Sequence, residues 1–198
     1  STTLWLLLVL VPLQIVLGDA SGLITRQYQP AKLAAIEAHW ETASRAPLVL
    51  FALPDQEAAA NRTEVAVPDL GSLILTHDMN GTVQGLKDFP RADWPPVMIV
   101  FLAFRIMVGA GLVMLAVVIT GAVIRLRGRL YTCAWYLGFL RFAAPLGFIA
   151  VLAGWTTTEV GRQPWVVYGL LRTADAVSPS LTGRDVIISL IGYIAAYA

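Results

Sequence analysis

The sequence predicts an all-α integral membrane helix bundle with about four transmembrane helices. Hydrophobic residues make up 57% of the 198 residues and charged residues 14%, whereas a soluble domain carries about 25% charged residues. Four apolar runs alternate with polar segments, and a long apolar run is typical of a membrane-spanning helix. We expect the first and last helices to be truncated, and one long extracytoplasmic loop to contain an amphipathic helix.

The first apolar run covers residues 3–18 and is predicted to be the end of a truncated transmembrane helix. It is shorter than the roughly 20 residues that span a bilayer. A signal peptide is the alternative, but the run has no initial Met, no basic segment and no obvious cleavage site.

The predicted parts are a truncated transmembrane helix at 1–18, an extracytoplasmic loop at 19–95, a transmembrane helix at 96–124, a cytoplasmic basic turn at 125–132, a transmembrane helix at 133–162, an extracytoplasmic loop at 163–185 and a truncated transmembrane helix at 186–198.

A basic tract gives the predicted orientation in the membrane. Arg125, Arg127 and Arg129 lie in a short turn between two apolar runs, and short loops rich in arginine are cytoplasmic. Strict alternation then places the loop from Asp19 to Trp94 outside, where it presents ten acidic and six basic residues. A loop of this length in a compact protein usually carries function.

Composition limits the function classes. The formal net charge of +1 shows no basic excess, so nucleic acid is not an expected partner. The single cysteine, Cys133, excludes an internal disulfide framework and a multi-cysteine metal site. Both histidines, His39 and His77, lie outside the apolar runs. We therefore expect no histidine ligand within a span.

A short helix is expected at 29–42, early in the long loop. Pro30 suits the first position of a helix because its φ is already helical and it has no N–H to satisfy. Leu33, Ile36 and Trp40 then recur at three- and four-residue spacing and form an apolar stripe. The pattern predicts an amphipathic helix that lies on lipid or on protein.

Two opposite charges on this helix are candidates for ligand binding. Lys32 and Glu37 are five residues apart and so about 140° apart around the axis, which excludes a simple i,i+4 ion pair. Together with Gln29 they could hold a ligand that has a polar head and an apolar tail. An ordinary amphipathic surface helix is the alternative interpretation.

The rest of the loop is β-prone. Short runs at 49–53, 64–67 and 73–75 are separated by proline and glycine, which is typical of strands joined by turns. Asn80-Gly81 is a hairpin-type turn. We expect short strands in this part of the loop.

The span at 96–124 contains one charge, Arg105, and inserting it costs roughly 2.5–3.5 kcal/mol. We expect Arg105 to face the bundle interior and to meet an anion there. Met107, Gly111 and Met114 share a face of the same helix. A thioether beside a glycine gap could ligate an iron, although a methionine in a span is most often a packing residue.

Trp155, Glu159 and Arg162 follow i, i+4, i+7 spacing near the outer end of the third long run. The Glu159 carboxylate could be an oxygen ligand to a high-spin iron, a proton carrier, or the partner of Arg162 in an i,i+3 ion pair. Ionisable groups at this depth tend to mark functional pathways.

Five strings along the chain are distinctive: Gly-Asp-Ala-Ser-Gly at 18–22, Gln-Pro-Ala-Lys-Leu-Ala-Ala-Ile-Glu at 29–37, Phe-Arg-Ile-Met-Val-Gly at 104–109, Glu-Val-Gly-Arg-Gln-Pro-Trp at 159–165 and Leu-Arg-Thr-Ala-Asp-Ala-Val-Ser-Pro at 171–179. By these strings, and over essentially its whole length, the chain resembles subunit I of cytochrome bd-type quinol oxidases. The loop length resembles the short-quinol-loop branch, with the cyanide-insensitive type as one candidate within it.

The resemblance implies a role for each candidate residue. In such oxidases ubiquinol or menaquinol is oxidised at the loop, O₂ is reduced to water at haem d, and a membrane potential arises without a pump. Glu37 would accept a quinol proton while Lys32 orients the quinol oxygen. The implied quinol-binding residues are Gln29, Lys32, Glu37 and Asp19; the implied haem ligands are Met107 for a low-spin haem b and Glu159 for a high-spin haem b; and Arg105, Trp155 and Arg162 would lie beside the haems, Arg105 near the propionates.

The chain departs from the family in one large respect. The family takes its histidine haem ligands from earlier transmembrane helices, and no histidine of this chain lies in a predicted span. We therefore expect this chain to be the C-terminal half of the subunit and inactive alone. Its implied partners are the N-terminal half, subunit II, lipid and quinol, in the bacterial cytoplasmic membrane. The alternatives are a membrane cytochrome b that relays electrons from quinol without O₂ reduction, and a transporter or structural subunit without haem.

Overall fold

The computed structural model describes residues 2–178 and 180–197. It is mostly helical, as the sequence predicts, with three short two-stranded sheets. The helices are α1 (Thr2–Tyr28), α2 (Pro30–Glu37), α3 (Leu70–Thr76), α4 (Val97–Leu126), α5 (Ala134–Ala143), α6 (Leu146–Gly161) and α7 (Gly183–Tyr197); the strands are β1 (Ala43–Ser44), β2 (Leu48–Asp55), β3 (Ala60–Val67), β4 (Thr82–Val83), β5 (Trp165–Val167) and β6 (Leu171–Arg172).

Among the described residues, three segments are long and apolar enough to cross a membrane: α1, α4, and α5 together with α6. Their apolar surfaces are largely exposed within this chain, which suits contact with lipid or with other membrane helices. Helix α7 has 15 described residues, fewer than the roughly 20 of a full span. The fourth transmembrane helix therefore stays a prediction.

Helix α1 extends to Tyr28, ten residues beyond the predicted end at residue 18. The polar composition after Gly18 predicts the start of the loop there, but the segment from Asp19 to Tyr28 contains no proline to stop the helix. Pro30 supplies that stop, because the residue before a proline is pushed out of helical geometry, and Gln29 has φ −141°. Asp19 consequently lies inside a helix rather than in the loop.

The predicted spans after the loop are close to the observed ones. Helix α4 begins directly after Pro95-Pro96 and runs two residues past the predicted end. The third span is divided by a turn at Ala144–Pro145, where proline lacks the N–H that a continuous helix needs. Helix α6 ends at Gly161, just before the predicted stop at Gln163-Pro164.

The long loop folds into a small mixed unit, so the chain is not all-α. Strands β2 and β3 pair antiparallel, and they contain the predicted runs at 49–53 and 64–67. The third predicted run, 73–75, lies instead in α3, so that strand prediction was wrong. Its three apolar residues fit a helical turn as well as a strand, and so short a run does not distinguish the two.

Helix α2 is buried between the loop and the spans. Six of its eight residues are buried. The predicted apolar stripe therefore packs on protein, but the rest of the helix is covered as well, which an ordinary surface helix would leave in water. The helix ends at Glu37 because Ala38 adopts a left-handed conformation (φ 52°). Trp40 therefore lies beyond the helix, where its indole N–H donates to Asn61 Oδ1 at 2.8 Å. The core around α2 contains Ala34, Ala35, Ile36, Val49, Leu86, Val97, Val100 and Phe101.

Candidate functional site

A buried ion pair joins the loop to α4. Arg105 Nη2 lies 2.6 Å from Glu37 Oε2, and the Glu37 side chain is 3% exposed. Arg105 therefore meets an anion, as its place in an apolar helix predicts. That anion is the loop carboxylate, 68 residues earlier in the chain.

Arg105 has further partners that do not depend on Glu37. Its Nε donates to the Val49 carbonyl at 2.8 Å. Its guanidinium also lies over the Phe101 and Phe104 rings, at 4.8 and 5.4 Å from their centroids, an arrangement that favours a cation. The guanidinium therefore contacts a carboxylate, a carbonyl and two aromatic rings, and the Arg105 side chain is 18% exposed.

Lys32 points away from this pair and contacts α6. Its Nζ donates to the Thr158 carbonyl at 3.4 Å, and its side-chain carbons pack on Gly161, where a Cβ would lie 3.2 Å from Lys32 Cε. Burial, followed by the charge of Arg162, lowers the pKa of Lys32, while Glu159 acts in the opposite direction. The two charges of α2 thus contact different transmembrane helices.

Lys32 lies in a cleft of about 160 Å³ between α2, α6 and the segment after α6, lined by Gln29, Lys32, Thr158, Arg162, Trp165, Val166 and Tyr168. Burial, and then the charge of Asp93, raises the pKa of Tyr168, so this hydroxyl stays protonated at neutral pH. The cleft therefore offers mostly hydrogen-bond donors to a ligand. Gln29 and Lys32 come together here as the sequence predicts.

Asp19 contacts a different part of the loop. Its Oδ2 lies 3.1 Å from His77 Nε2, and it is not among the residues that line the Lys32 cleft. A larger cleft of about 300 Å³ lies near the end of α1 and is lined by Arg26, Pro30, Leu33, Leu75, Thr82, Val83 and Gln84. The four predicted quinol-binding residues therefore lie in three places: Gln29 with Lys32, Glu37 with Arg105, and Asp19 with His77.

Met107 lies where α4 packs on α6. A Cβ placed on Gly154 would lie 2.8 Å from the Met107 sulfur, so the absence of a side chain at Gly154 leaves room for the thioether. The sequence pattern predicted Gly111 as the gap, but a Cβ on Gly111 would meet no atom within 4 Å among the described residues. The glycine that matters to Met107 is on the neighbouring helix.

Glu159 forms the ion pair that the i,i+3 spacing allows. Its Oε1 accepts a hydrogen bond from Arg162 Nη2 at 2.6 Å, and the two side chains are 42% and 35% exposed. Trp155, on the same side of α6, is 64% exposed. The predicted Trp155, Glu159 and Arg162 set therefore lies on a face that the described part of the chain leaves largely uncovered.

The donors fit haem iron only as single axial ligands. Residues 2–178 and 180–197 contain no group of three or more His, Cys, Asp or Glu side chains that could hold a metal ion. A haem needs one or two axial donors from the protein, because the porphyrin supplies the other four. The Met107 thioether and the partly exposed Glu159 carboxylate are donors of suitable chemistry.

Two residues near these groups were missed by the sequence analysis. His39 Nε2 and Trp165 Nε1 are buried without a hydrogen-bond partner among the described residues. Trp165 lines the Lys32 cleft, and its ring is covered by Arg172 at 4.5 Å. The only signal for Trp165 was its place in the string 159–165, and no pattern singled out His39.

Comparison with known proteins gives a consistent result. The family model described as cytochrome bd terminal oxidase subunit I matches residues 1–198. The chain is 37% identical over 175 residues to cytochrome bd ubiquinol oxidase subunit 1 of Bacillus subtilis (strain 168), which covers 83% of this chain and 37% of that protein. It is 30% identical over 247 residues to cytochrome bd-II ubiquinol oxidase subunit 1 of Escherichia coli (strain K12). That match covers 91% of this chain and 48% of the Escherichia coli protein.

A solved structure gives the same result for the fold. The structure of bd oxidase from Geobacillus thermodenitrificans matches with a TM-score of 0.78 at 29% identity, over 95% of this chain and 43% of that chain. This chain therefore spans less than half the length of the relatives described here.

The buried pair should show strong coupling in stability. We expect Arg105→Gln to destabilise the protein by about 3–5 kcal/mol, because it leaves the buried Glu37 carboxylate without its cation. Glu37→Gln should destabilise the protein less, because Arg105 keeps the Val49 carbonyl and two aromatic rings. The double variant should lose less than the sum of the two. Chemical denaturation of the purified protein in detergent measures all three.

The exposed pair Lys87–Glu41, 2.9 Å apart, is the matched control, and the same cycle there should show little coupling. A coupling between Glu37 and Arg105 no larger than that of the control would contradict the role given to the buried pair.

Proposed function

Because the chain belongs to the cytochrome bd terminal oxidase subunit I family, we propose that it forms the quinol-oxidising part of a membrane oxidase that reduces O₂ to water. One turn of α4 carries this proposal. Arg105 in that turn contacts the loop carboxylate of Glu37, and Met107 presents a thioether two residues later. The proton-accepting carboxylate of Glu37 is thereby held against the same helix that carries the haem-ligand candidate Met107.

The assembly that we propose includes the rest of subunit I and subunit II. The exposed apolar surfaces of α1, α4 and α7 would face lipid or those partners. The basic turn after α4 would lie in the cytoplasm and the long loop outside. The protein would then be a multi-pass protein of the bacterial cytoplasmic membrane.

Ubiquinol or menaquinol is the proposed substrate, and its head would bind in the Lys32 cleft. Lys32 and Tyr168 would donate to a quinol oxygen, and Gln29 would either donate or accept. An apolar tail would leave between the spans, where the surface is apolar. Asp19 lies seven residues before Arg26 on α1, near the other cleft, so we assign it no direct contact with the ring.

Glu37 is the proposed acceptor of a quinol proton at its carboxylate. It lies on the side of α2 away from the Lys32 cleft, so the proton would arrive by a relay rather than directly from the ring. Protonation breaks the ion pair with Arg105, but Arg105 keeps the Val49 carbonyl and two aromatic rings. The cost of neutralising Glu37 is therefore reduced.

Met107 would hold a low-spin haem b, Glu159 would hold a high-spin haem b, and haem d would take its ligands from the rest of the subunit. When bound, these groups supply one-electron transfer and the reduction of O₂. Gly154 keeps the Met107 sulfur free of a side-chain clash. Arg162, already bonded to Glu159, orients that carboxylate.

Replacing Lys32 with alanine should raise the quinol KM on the order of tenfold, because the cleft loses a charged donor. The measurement is quinol-dependent O₂ uptake by the assembled oxidase. Lys87→Ala is the control, since Lys87 lies in the same loop but contacts Glu41. An unchanged KM in Lys32→Ala would exclude Lys32 from the quinol site.

Replacing Met107 with leucine should remove or shift the low-spin b-type signal, because leucine has no sulfur lone pair. A reduced-minus-oxidised absorption spectrum of the assembled complex measures this. Met114→Leu, on the same face of α4, is the control and should keep the signal. If Met114→Leu removes the signal and Met107→Leu does not, the ligand assignment is wrong.

Replacing Glu159 with alanine separates an oxidase from a cytochrome b that only relays electrons. We expect O₂ reduction to fall by at least tenfold while quinol still reduces the low-spin haem, because the Glu159 carboxylate pairs with Arg162 and not with Glu37 or Arg105. Stopped-flow spectra and O₂ uptake measure the two steps. Retained O₂ reduction would favour the relay, and a complex without haem would favour the transporter or structural alternative.

A further inference from the structure

One wall of the Lys32 cleft is the β5–β6 hairpin, residues 165–172, which follows α6. Its two strands pair antiparallel with Trp165 opposite Arg172. Trp165 and Tyr168 both line the cleft, and the centroids of their rings lie 6.0 Å apart. The hairpin therefore contributes two neighbouring aromatic side chains to the cleft.

An ion pair ties this hairpin to the segment that precedes α4. Arg172 Nη2 lies 2.5 Å from Asp93 Oδ1, and the Asp93 side chain is 18% exposed. The two residues are 79 positions apart in the chain. The backbone N–H of Asp93 donates to the Pro90 carbonyl at 2.8 Å. Arg172 thus meets a partly buried anion whose own backbone is held in a turn.

The other hydrogen bonds of this region are local. Within the part of the chain that the structure describes, residues 162–176 otherwise bond only to one another and to α6. The Thr173 N–H, for example, donates to the Pro164 carbonyl at 2.9 Å. Apolar burial adds little, because the aliphatic side chains of the hairpin are exposed: Val166, Val167, Leu170 and Leu171. The contact between Arg172 and Asp93 is therefore the main tether of the hairpin.

Arg172 also holds the Trp165 ring. Its guanidinium carbon lies 4.5 Å from the centroid of that ring, a distance at which a cation is attracted to the face of an indole. The Trp165 Nε1 is buried and has no hydrogen-bond partner among the described residues. The ring is therefore positioned by its contacts with Arg172 and Tyr168 and not by a hydrogen bond of its own.

We propose that the ion pair between Arg172 and Asp93 positions the β5–β6 hairpin as the aromatic wall of the quinol site, and so sets how tightly the quinol ring binds. This inference rests on the proposed function, which puts the quinol head in the Lys32 cleft. Neither Arg172 nor Asp93 lines the cleft, so both are positioning residues. They act through Trp165 and Tyr168, whose rings pack against the flat quinol ring.

The test measures quinol-dependent O₂ uptake by the assembled oxidase with Arg172→Gln, Asp93→Asn or both changes. We expect each single change to raise the quinol KM about fivefold, the effect of losing an ion pair of this exposure, and to leave kcat and the haem spectrum unchanged. The double variant should be no worse than either single variant, because all three lack the same contact. Arg172→Lys keeps the charge and should raise the KM less.

Amide hydrogen exchange of the assembled oxidase is a second readout, which does not depend on turnover. The Thr173 N–H, bonded across the base of the hairpin, should exchange faster in Arg172→Gln and Asp93→Asn than in wild type, because the tether is lost. The control is Arg62→Gln, which breaks the 2.6 Å pair of Arg62 with Asp55 in β2 and β3. It should change neither the KM nor this exchange rate.

Three results would overturn the proposal. The first is an unchanged KM in both Arg172→Gln and Asp93→Asn. The second is a raised KM without faster exchange in the hairpin, because the pair would then not act by holding it. The third is a KM in the double variant that equals the product of the two single effects, since the two residues would then act independently.

Failure of the proposed function would look different. If Lys32→Ala keeps the wild-type KM, the cleft is not the quinol site and the proposed function fails there. If Lys32→Ala raises the KM while Arg172→Gln and Asp93→Asn do not, only the positioning role is wrong. Should Arg172→Gln not assemble, as judged from its haem spectrum, Arg172→Lys and Asp93→Asn complete the test.

Discussion

The buried contact between Glu37 and Arg105 is the interaction on which the rest of the site depends. A guanidinium within an apolar helix needs an anion nearby, and a carboxylate that is 3% exposed needs a cation. Arg105 supplies the cation and Glu37 supplies the anion, with Arg105 Nη2 2.6 Å from Glu37 Oε2. The pair also positions this part of the loop, because it holds the end of α2 against α4.

The sequence predicted the Arg105 side of this contact. The cost of Arg105 in a span made a buried anion necessary, and the helix breakers Pro30, Pro96 and Pro164 gave most of the helix limits. The anion itself could not be named, because contacts between residues 68 apart depend on how the loop folds back. Periodicity also failed for α2, since Leu33 and Ile36 describe one face while the loop covers the remaining faces as well.

The same limits apply to the candidate haem ligands. Met107 was found by its chemistry and by the resemblance, but its room comes from Gly154 on another helix, which no local pattern relates to it. The i,i+3 ion pair of Glu159 and Arg162 was predictable because both residues are on one helix. His39 was missed because a single histidine beyond a helix end carries no periodic signal. Its burial and its unbonded Nε2 appear only in the folded structure.

Helix α2 connects two spans rather than resting on one. Glu37 at one end holds Arg105 of α4, and Lys32 near the other end packs on Gly161 and bonds the Thr158 carbonyl of α6. Met107 lies on α4 two residues from Arg105, and Glu159 lies on α6 next to Thr158. A shift of α2 would therefore disturb the residues next to both candidate haem ligands. The rigid core around α2 opposes such a shift, which is what groups that exchange protons and electrons over short distances require.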